Sequence, residues 1–233
     1  MLLPGLGAPI GLIGGGVPDV NTLLLLHCNG ADTSTTFIDS SRSHKTVTPN
    51  GNSQIDTAQS KFGGASSLFD GTGDYLSVPD SEDWNFGTGS FTFDFWVRFN
   101  AAPTAEAHLC IQGDPAGLGV PFNFYCSPTT ISFYASSNGF AWDIALAKSI
   151  GAISVGNWKH IAVVRSGNDF ATYYDGTQVT TWTNSGTLNN NASTLNIGGW
   201  SGGAEMFNGW IDEFRISNVA RWTSGFTPPT NPY

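Results

Sequence analysis

Residues 90–100, SFTFDFWVRFN, constrain the fold more than any other stretch of the chain. Phe91, Phe93, Phe95, Val97 and Phe99 alternate with Thr92, Asp94, Trp96 and Arg98. A repeat of two is the pleat of a β-strand, whereas a helix would scatter the five apolar side chains around its circumference. Five large apolar groups on one face of a strand must be covered by a second layer. Asp94 and Arg98 share the opposite face, where a solvated ion pair is expected.

The same grammar recurs along the chain. NTLLLLHCNG (21–30) is a short apolar run closed by Asn-Gly, and reads as a buried first strand. Residues 35–56 give two weak strands about a turn at Pro49-Asn50-Gly51. Leu68 and Phe69 precede an Asp70-Gly71 turn, after which Tyr75, Leu76 and Val78 follow. NWKHIAVVRSGNDFATYYDGTQVTTW (157–182) is a strand, a Gly-Asn turn, and a hairpin about Asp175-Gly176. STLNIGG and FNGWIDEFRIS supply the last strands. In the latter, strict alternation sets Trp210, Asp212, Phe214 and Ile216 on one side, and Ile211, Glu213 and Arg215 on the other. No helical period is sustained. The segment after Ser217 allows one helical turn at most, and Pro228, Pro229 and Pro232 impose an extended tail. With 233 residues, 29 Gly and only 12% charged residues, the chain is expected to be all-β. The expected architecture is a single two-sheet antiparallel sandwich over residues 21–233, preceded by an extended arm over residues 1–20.

The formal net charge of −9 leaves no basic stripe to neutralise a polyanion. Nucleic acid and anionic membrane surfaces are therefore not expected partners. Cys28, Cys110 and Cys126 form no CxxC pair; a Cys110–Cys126 bridge and three buried thiols both remain open. The histidines, His27, His44, His108 and His160, lack metal-ligand spacing. The arm, MLLPGLGAPIGLIGGGVPDV, has no positive n-region, its Pro and Gly interrupt any signal helix, and it is too broken to span a bilayer. Its apolar residues, Leu2, Leu3, Leu6, Ile10, Leu12, Ile13 and Val17, are expected to dock in a groove on a partner or a neighbouring copy. The other reading folds the arm back on its own body.

The blocks FGGASSLFDGTGDYLSVPDSEDWNFGTGSFTFDFWVRF, NWKHIAVVRSG, ATYYDGTQV, LNIGG and FNGWIDEFRISNVARWTSGFTPPTNPY, in that order, resemble the laminin-G-like, concanavalin-A-like jelly-roll family. The likeness is greatest to the versions found in bacteriophage and viral structural proteins. It implies a jelly roll whose loop tips bind sugar or protein, and a structural Ca²⁺. Where the family's opening block carries H-x-D-G, this chain has His27-Cys28-Asn29-Gly30, which removes one charge from that site.

Asp212 and Glu213 are adjacent, so a regular strand points them to opposite faces and they cannot flank one substrate. The jelly-roll glycanases carry an E-x-D-x-E arrangement that is missing here, and no enzymatic activity is expected. Asp212 is satisfied either by backbone amides and Arg215 or Arg221, or by a Ca²⁺ shared with Asn29 or Asp32. Glu213 is expected to pair with Arg215 at the surface. GWSGG (199–203) matches G-x-S-x-G by letter, but no strand-to-helix turn surrounds it. Trp142, Trp182, Trp200 and Trp222 stand in or beside Gly/Ser/Asn-rich segments. Trp182 and Trp200 are the candidates for a glycan or partner surface, and Trp222 for packing. Two functions follow as expectations. The first is a non-enzymatic virion component, a capsid decoration or tail-associated protein assembled in the host cytoplasm. It would contact other virion proteins and its own copies through the arm. The second is a carbohydrate-binding adhesion module, with or without Ca²⁺, on a phage or cell surface.

Overall fold

The structure is a computed structural model that describes residues 19–113, 119–203 and 205–233. The arm residues Leu2, Leu3, Leu6, Ile10, Leu12, Ile13 and Val17 lie outside the described residues. In chain order the strands are β1 (Thr22–Leu26), β2 (Thr48–Asn50), β3 (Gln54–Asp56), β4 (Ser66–Asp70), β5 (Tyr75–Val78), β6 (Phe91–Phe99), β7 (Ala107–Gln112), β8 (Phe122–Cys126), β9 (Thr130–Ala135), β10 (Ala145–Ala152), β11 (Lys159–Ser166), β12 (Asp169–Tyr174), β13 (Thr177–Thr183), β14 (Leu195–Ile197) and β15 (Asn208–Ser217). Among the described residues they form two antiparallel sheets. An eight-stranded sheet runs β13-β12-β11-β6-β15-β4-β3, with β1 also on β15. A seven-stranded sheet runs β10-β9-β8-β7-β14-β5-β2. Among the described residues helix is limited to one 3-10 turn, Glu82–Trp84, and no described helix is long and apolar enough to cross a membrane.

The sandwich filling is aromatic. Phe91, Phe93, Phe95, Val97 and Phe99 all point inward from β6 and are buried. Phe93 meets Phe122 and Phe124 of β8 at centroid distances of 4.8 and 5.4 Å, tilted as ring quadrupoles prefer. Cys28, Cys110 and Cys126 are buried free thiols, which resolves the alternatives left by the sequence.

Two expected turns join strands of different sheets. The chain crosses from β2 to β3 and from β4 to β5, so these turns are corners of the sandwich. Asp74 pins both corners, accepting from Asn52 N at 2.7 Å and Asp70 N at 3.0 Å. The hairpin at Asp175-Gly176 is as expected: φ is 47° and 76°, the left-handed pair that a two-residue hairpin requires.

The expectation for the outer face of β6 is corrected. Asp94 is fully buried and pairs with Arg215, not Arg98, through bonds of 3.1 and 2.9 Å. The reason lies in the tail, which crosses this face as a strap. Thr92 Oγ1 donates to Val219 O (2.7 Å), and Trp222 and Phe226 stack at 3.8 Å over a buried cluster of Ala162, Val164, Ala171 and Tyr173. Tyr233 lies under the Arg215 guanidinium at 3.5 Å. The strap has no helical turn.

β15 also departs from strict alternation. Its first half pairs with β4 and its second half with β1, and a bulge falls between Asp212 and Arg215. Glu213, at φ 52°, absorbs the extra residue. Ile211, Phe214 and Ile216 therefore face the core together, while Trp210 stands outside against Arg98 and Asp56.

Candidate functional site

Alternation in the seven-stranded sheet sends Leu109, Phe122, Phe124, Ile131 and Phe133 into the core. The residues between them face outward: His108 on β7, Asn123 and Tyr125 on β8, Tyr134 on β9. Register places His108 opposite Tyr125 and Asn123 opposite Tyr134, so the four form one patch. Glu106, just before β7, and two loops complete it. The loop after β9 contributes Trp142, edge-on to Tyr134 at 5.4 Å. The loop after β14 contributes Trp200 and Glu205. Together these residues line an open cleft of about 390 Å³.

The loops are held for the task. Asp143 accepts from Ser137 N (2.8 Å), and Asn138 Oδ1 accepts from the amides of Phe140 and Ala141, so the Trp142 loop is braced on both sides. Trp200 packs on Ile111 and Val120, with Trp142 against it. Gly202 lies flat on the Trp200 ring: a Cβ there would come within 1.9 Å of it. Glu205 adopts φ 59°, a region that non-glycine residues seldom use. Its carbonyl accepts from His108 N (3.1 Å) and its carboxylate meets His108 Nε2 at 2.7 Å. Nδ1 of the same ring faces the Asn123 amide at 2.9 Å.

The cleft is polar and negative between its rings. Burial, and then the hydrogen bond to Glu106, push the Tyr125 hydroxyl well above its ordinary value; burial and Glu106 also raise Tyr134. Both phenols are therefore donors at neutral pH. The indole N–H of Trp200 is buried without an acceptor. Flat apolar faces beside amide, carboxylate, imidazole and phenol groups match a pyranose ring, which has apolar faces and a polar rim.

Residues 70–223 match a family model described as the concanavalin A-like lectin/glucanases superfamily. The chain belongs to this superfamily. No curated protein matches it. Among solved structures, the binding domain of paraclostridial mosquitocidal protein 1 is similar with a TM-score of 0.62 and 16% identity, over 86% of this chain and 49% of that one. Trypanosoma rangeli sialidase in complex with 2,3-difluorosialic acid gives 0.64 and 16%, over 89% and 32%. The binding domain of botulinum neurotoxin DC in complex with SialylT gives 0.63 and 15%, over 86% and 48%. The chain thus spans about half of each toxin domain and about a third of the sialidase. At such identities the likeness is one of fold, a lectin-like jelly roll.

Within this superfamily chain, the residues singled out from sequence fall in different places. Trp200 lines the cleft, although it is only 9% exposed. Trp182 does not: it lies on β13, in the other sheet, not in a loop. It stacks on Phe170 at 4.9 Å, and its Nε1 donates to Ile144 O. Trp222 is packing, as expected.

Asp212 and Glu213 are both fully buried, which corrects the surface pairing expected for Glu213 with Arg215. They fill the notch in β15 where β4 gives way to β1. Asp212 Oδ2 accepts from Lys61 N (2.8 Å) and Phe62 N (3.0 Å), on the segment that leads into β4. Glu213 meets His27 Nδ1 at 2.9 Å, beyond the end of β1, and accepts from Tyr233 N at 3.0 Å. Burial raises Asp212 to about 7, against the two amide bonds that lower it, and its Oδ1 has no partner. Asn29 is exposed beside Gly63, and Asp32 is exposed with Oδ1 accepting from Thr57 N. No three His, Cys, Asp or Glu side chains among the described residues form a group able to hold a metal ion. The residues present thus do not assemble the charged donor set that calcium takes.

The sequence reading missed Glu106, His108, Asn123, Tyr125, Tyr134 and Glu205 as site residues. The signal was present in FNFYC (122–126) and TISFYA (130–135), whose alternation already separates Asn123, Tyr125 and Tyr134 from the core.

Proposed function

We propose that this chain is a non-enzymatic carbohydrate-binding module that takes a saccharide on the outer face of its seven-stranded sheet. The observation that carries the reading is the convergence of Trp142, Tyr125 and Tyr134 with Asn123, His108 and Glu205 around one open cleft. Aromatic rings stack on the apolar face of a sugar, and the polar groups fix its hydroxyls. The similar structures solved with sialic acid derivatives and SialylT lend support by analogy of fold.

The cleft does bring two carboxylates, Glu106 and Glu205, to one place. Glycoside hydrolysis needs one carboxyl to protonate the leaving oxygen and the other to attack or to activate water. Here Glu205 is tied to His108 by one oxygen and partly exposed, and Glu106 is exposed at the mouth, so neither is buried as a carboxyl must be to hold the proton a general acid gives. Binding without turnover is the outcome expected of such groups. A glycan array with the intact chain tests the reading. Trp142→Ala should weaken the best ligand about tenfold or more, as loss of an anchoring aromatic does, with no new reducing ends released on long incubation. Binding that survives both Trp142→Ala and Tyr134→Ala would move the site elsewhere.

A second reading concerns where the module is displayed. The order of its sequence blocks and the apolar leader support a virion component, docked on a capsid or tail through residues 1–20 and forming homo-oligomers there. The two readings are compatible, since a particle component can also hold glycans. Calcium would be an addition to either: Asp212 Oδ1 is buried without a partner, but Asn29 and Asp32 are exposed and no group of three acids or histidines among the described residues surrounds it.

A further inference from the structure

We infer that the cleft selects saccharides by charge, taking amino sugars first and neutral sugars next, and turning away acidic ones. The inference rests on the carbohydrate-binding reading and narrows it to a substrate class. It departs from the similar structures that were solved with sialic acid derivatives.

The argument is one of available partners. None of the nine Lys and Arg residues lines the cleft. Its ionisable walls are Glu106, Glu205, His108 and two tyrosines held in the neutral form. The imidazole of His108 is already engaged with Glu205 at 2.7 Å and with Asn123 at 2.9 Å, and only 2% of its side chain is exposed. A sialic or uronic carboxylate entering the cleft therefore finds no free cation and approaches two like charges, an arrangement that penalises the wrong partner. An ammonium group finds the reverse. Glu106 is exposed at the mouth, and Glu205 keeps a third of its side chain in solvent. Each carboxylate has lone pairs beyond the one in use, and an ammonium has three protons to give. The long-range field agrees, since the whole chain carries −9.

The cleft is more than an acidic patch. Its walls are aromatic, and Trp200, more than nine-tenths buried in one of them, holds an N–H with no acceptor. The acids therefore flank a stacking site, where a sugar ring is held by its faces while its substituents meet the charges.

Titration calorimetry with three oligosaccharides of equal length tests the inference: a glucosamine oligomer, its fully N-acetylated counterpart, and a galacturonate oligomer, with 3′-sialyllactose as a second acid. The glucosamine oligomer should bind tightest, by about fivefold over the acetylated form for one partly exposed ion pair, and its affinity should fall with added salt. The acids should give no measurable heat. Glu106→Arg, at an exposed position outside the core, should reverse the ranking of glucosamine and galacturonate oligomers. If an acidic oligosaccharide binds as tightly as the amino one, selection by charge is wrong and the lectin reading stands. If no oligosaccharide binds at all, both fall together.

Discussion

A carboxylate in the middle of a sheet is costly unless something meets it. Asp212 and Glu213 sit in β15 because the strands beside them stop there: two amides of the chain entering β4 meet Asp212, and His27 of the chain leaving β1 meets Glu213. The adjacency that invited a catalytic reading is a splice in the sheet. The two acids differ in how well they are met. Asp212 titrates near 7 when folded against an ordinary 3.8, so its proton is held more tightly by the folded chain. Its contribution favours folding below about pH 4 and is lost as pH rises toward 7. Asp212→Asn should accordingly gain about 2–3 kcal/mol on the wild type between pH 5 and pH 8, the amide left without a partner costing the same at both. Urea denaturation in EDTA at the two pH values measures this. Repeating it with calcium shows whether the wild-type chain gains stability that the variant does not. Sequence could not disclose the splice. Period two places Asp212 and Phe214 on one face, and only a bulge with Glu213 at φ 52° separates them.

At the level of elements, β6 was legible in full on its inner face and misread on its outer one. Inward alternation is a local property, and Phe91 to Phe99 obey it. What covers Thr92 and Asp94 is set by a chain segment more than a hundred residues away, Trp96 meets Lys61 and Phe62 instead, and no local pattern announces either. The strap over residues 218–233 converts an expected solvent face into a second, polar core. Asp94, Arg215, His160 and Tyr233 meet there: Arg215 binds Asp94 twice, and His160 Nε2 reaches Tyr233 Oη at 2.9 Å. Burial would raise Asp94, but Arg215 and His160 outweigh it and hold the group at about 2. With an ordinary value of 3.8, Asp94 lends stability above pH 4 that disappears as pH falls toward 2. Asp94→Asn leaves Arg215 buried against a neutral amide and should cost about 3 kcal/mol at pH 7. The deficit should shrink below pH 3, as read by melting temperature across that range. Equal destabilisation at pH 7 and pH 2.5 would argue that the ion pair contributes nothing beyond shape. The cleft was less legible than β6 because its residues come from three strands and two loops, and only register joins them.

For the whole molecule, the all-β sandwich and its family were readable from the order of the blocks, since turn residues and alternation are written locally. The sheet order was not, because β15 pairs with β1, β4 and β6, strands more than a hundred residues before it. The arm poses the remaining question of assembly. If the arm serves docking alone, deleting residues 1–18 should leave the melting temperature of the sandwich within about 2 °C. On the virion reading, the same deletion should abolish any self-association seen in light scattering, together with attachment to purified particles. Retained assembly would assign the contacts to the sandwich itself. The placement of β15 has a consequence for how the protein is made. Hydrogen-bonded to β1, β4 and β6 at once, it is a keystone synthesised after the fourteen other described strands. A nascent chain on the ribosome holds most of the greasy inner surface yet lacks the strand that closes it. The domain therefore completes its fold only once β15 has been made, and premature termination anywhere before residue 217 yields a polypeptide for chaperones and proteases.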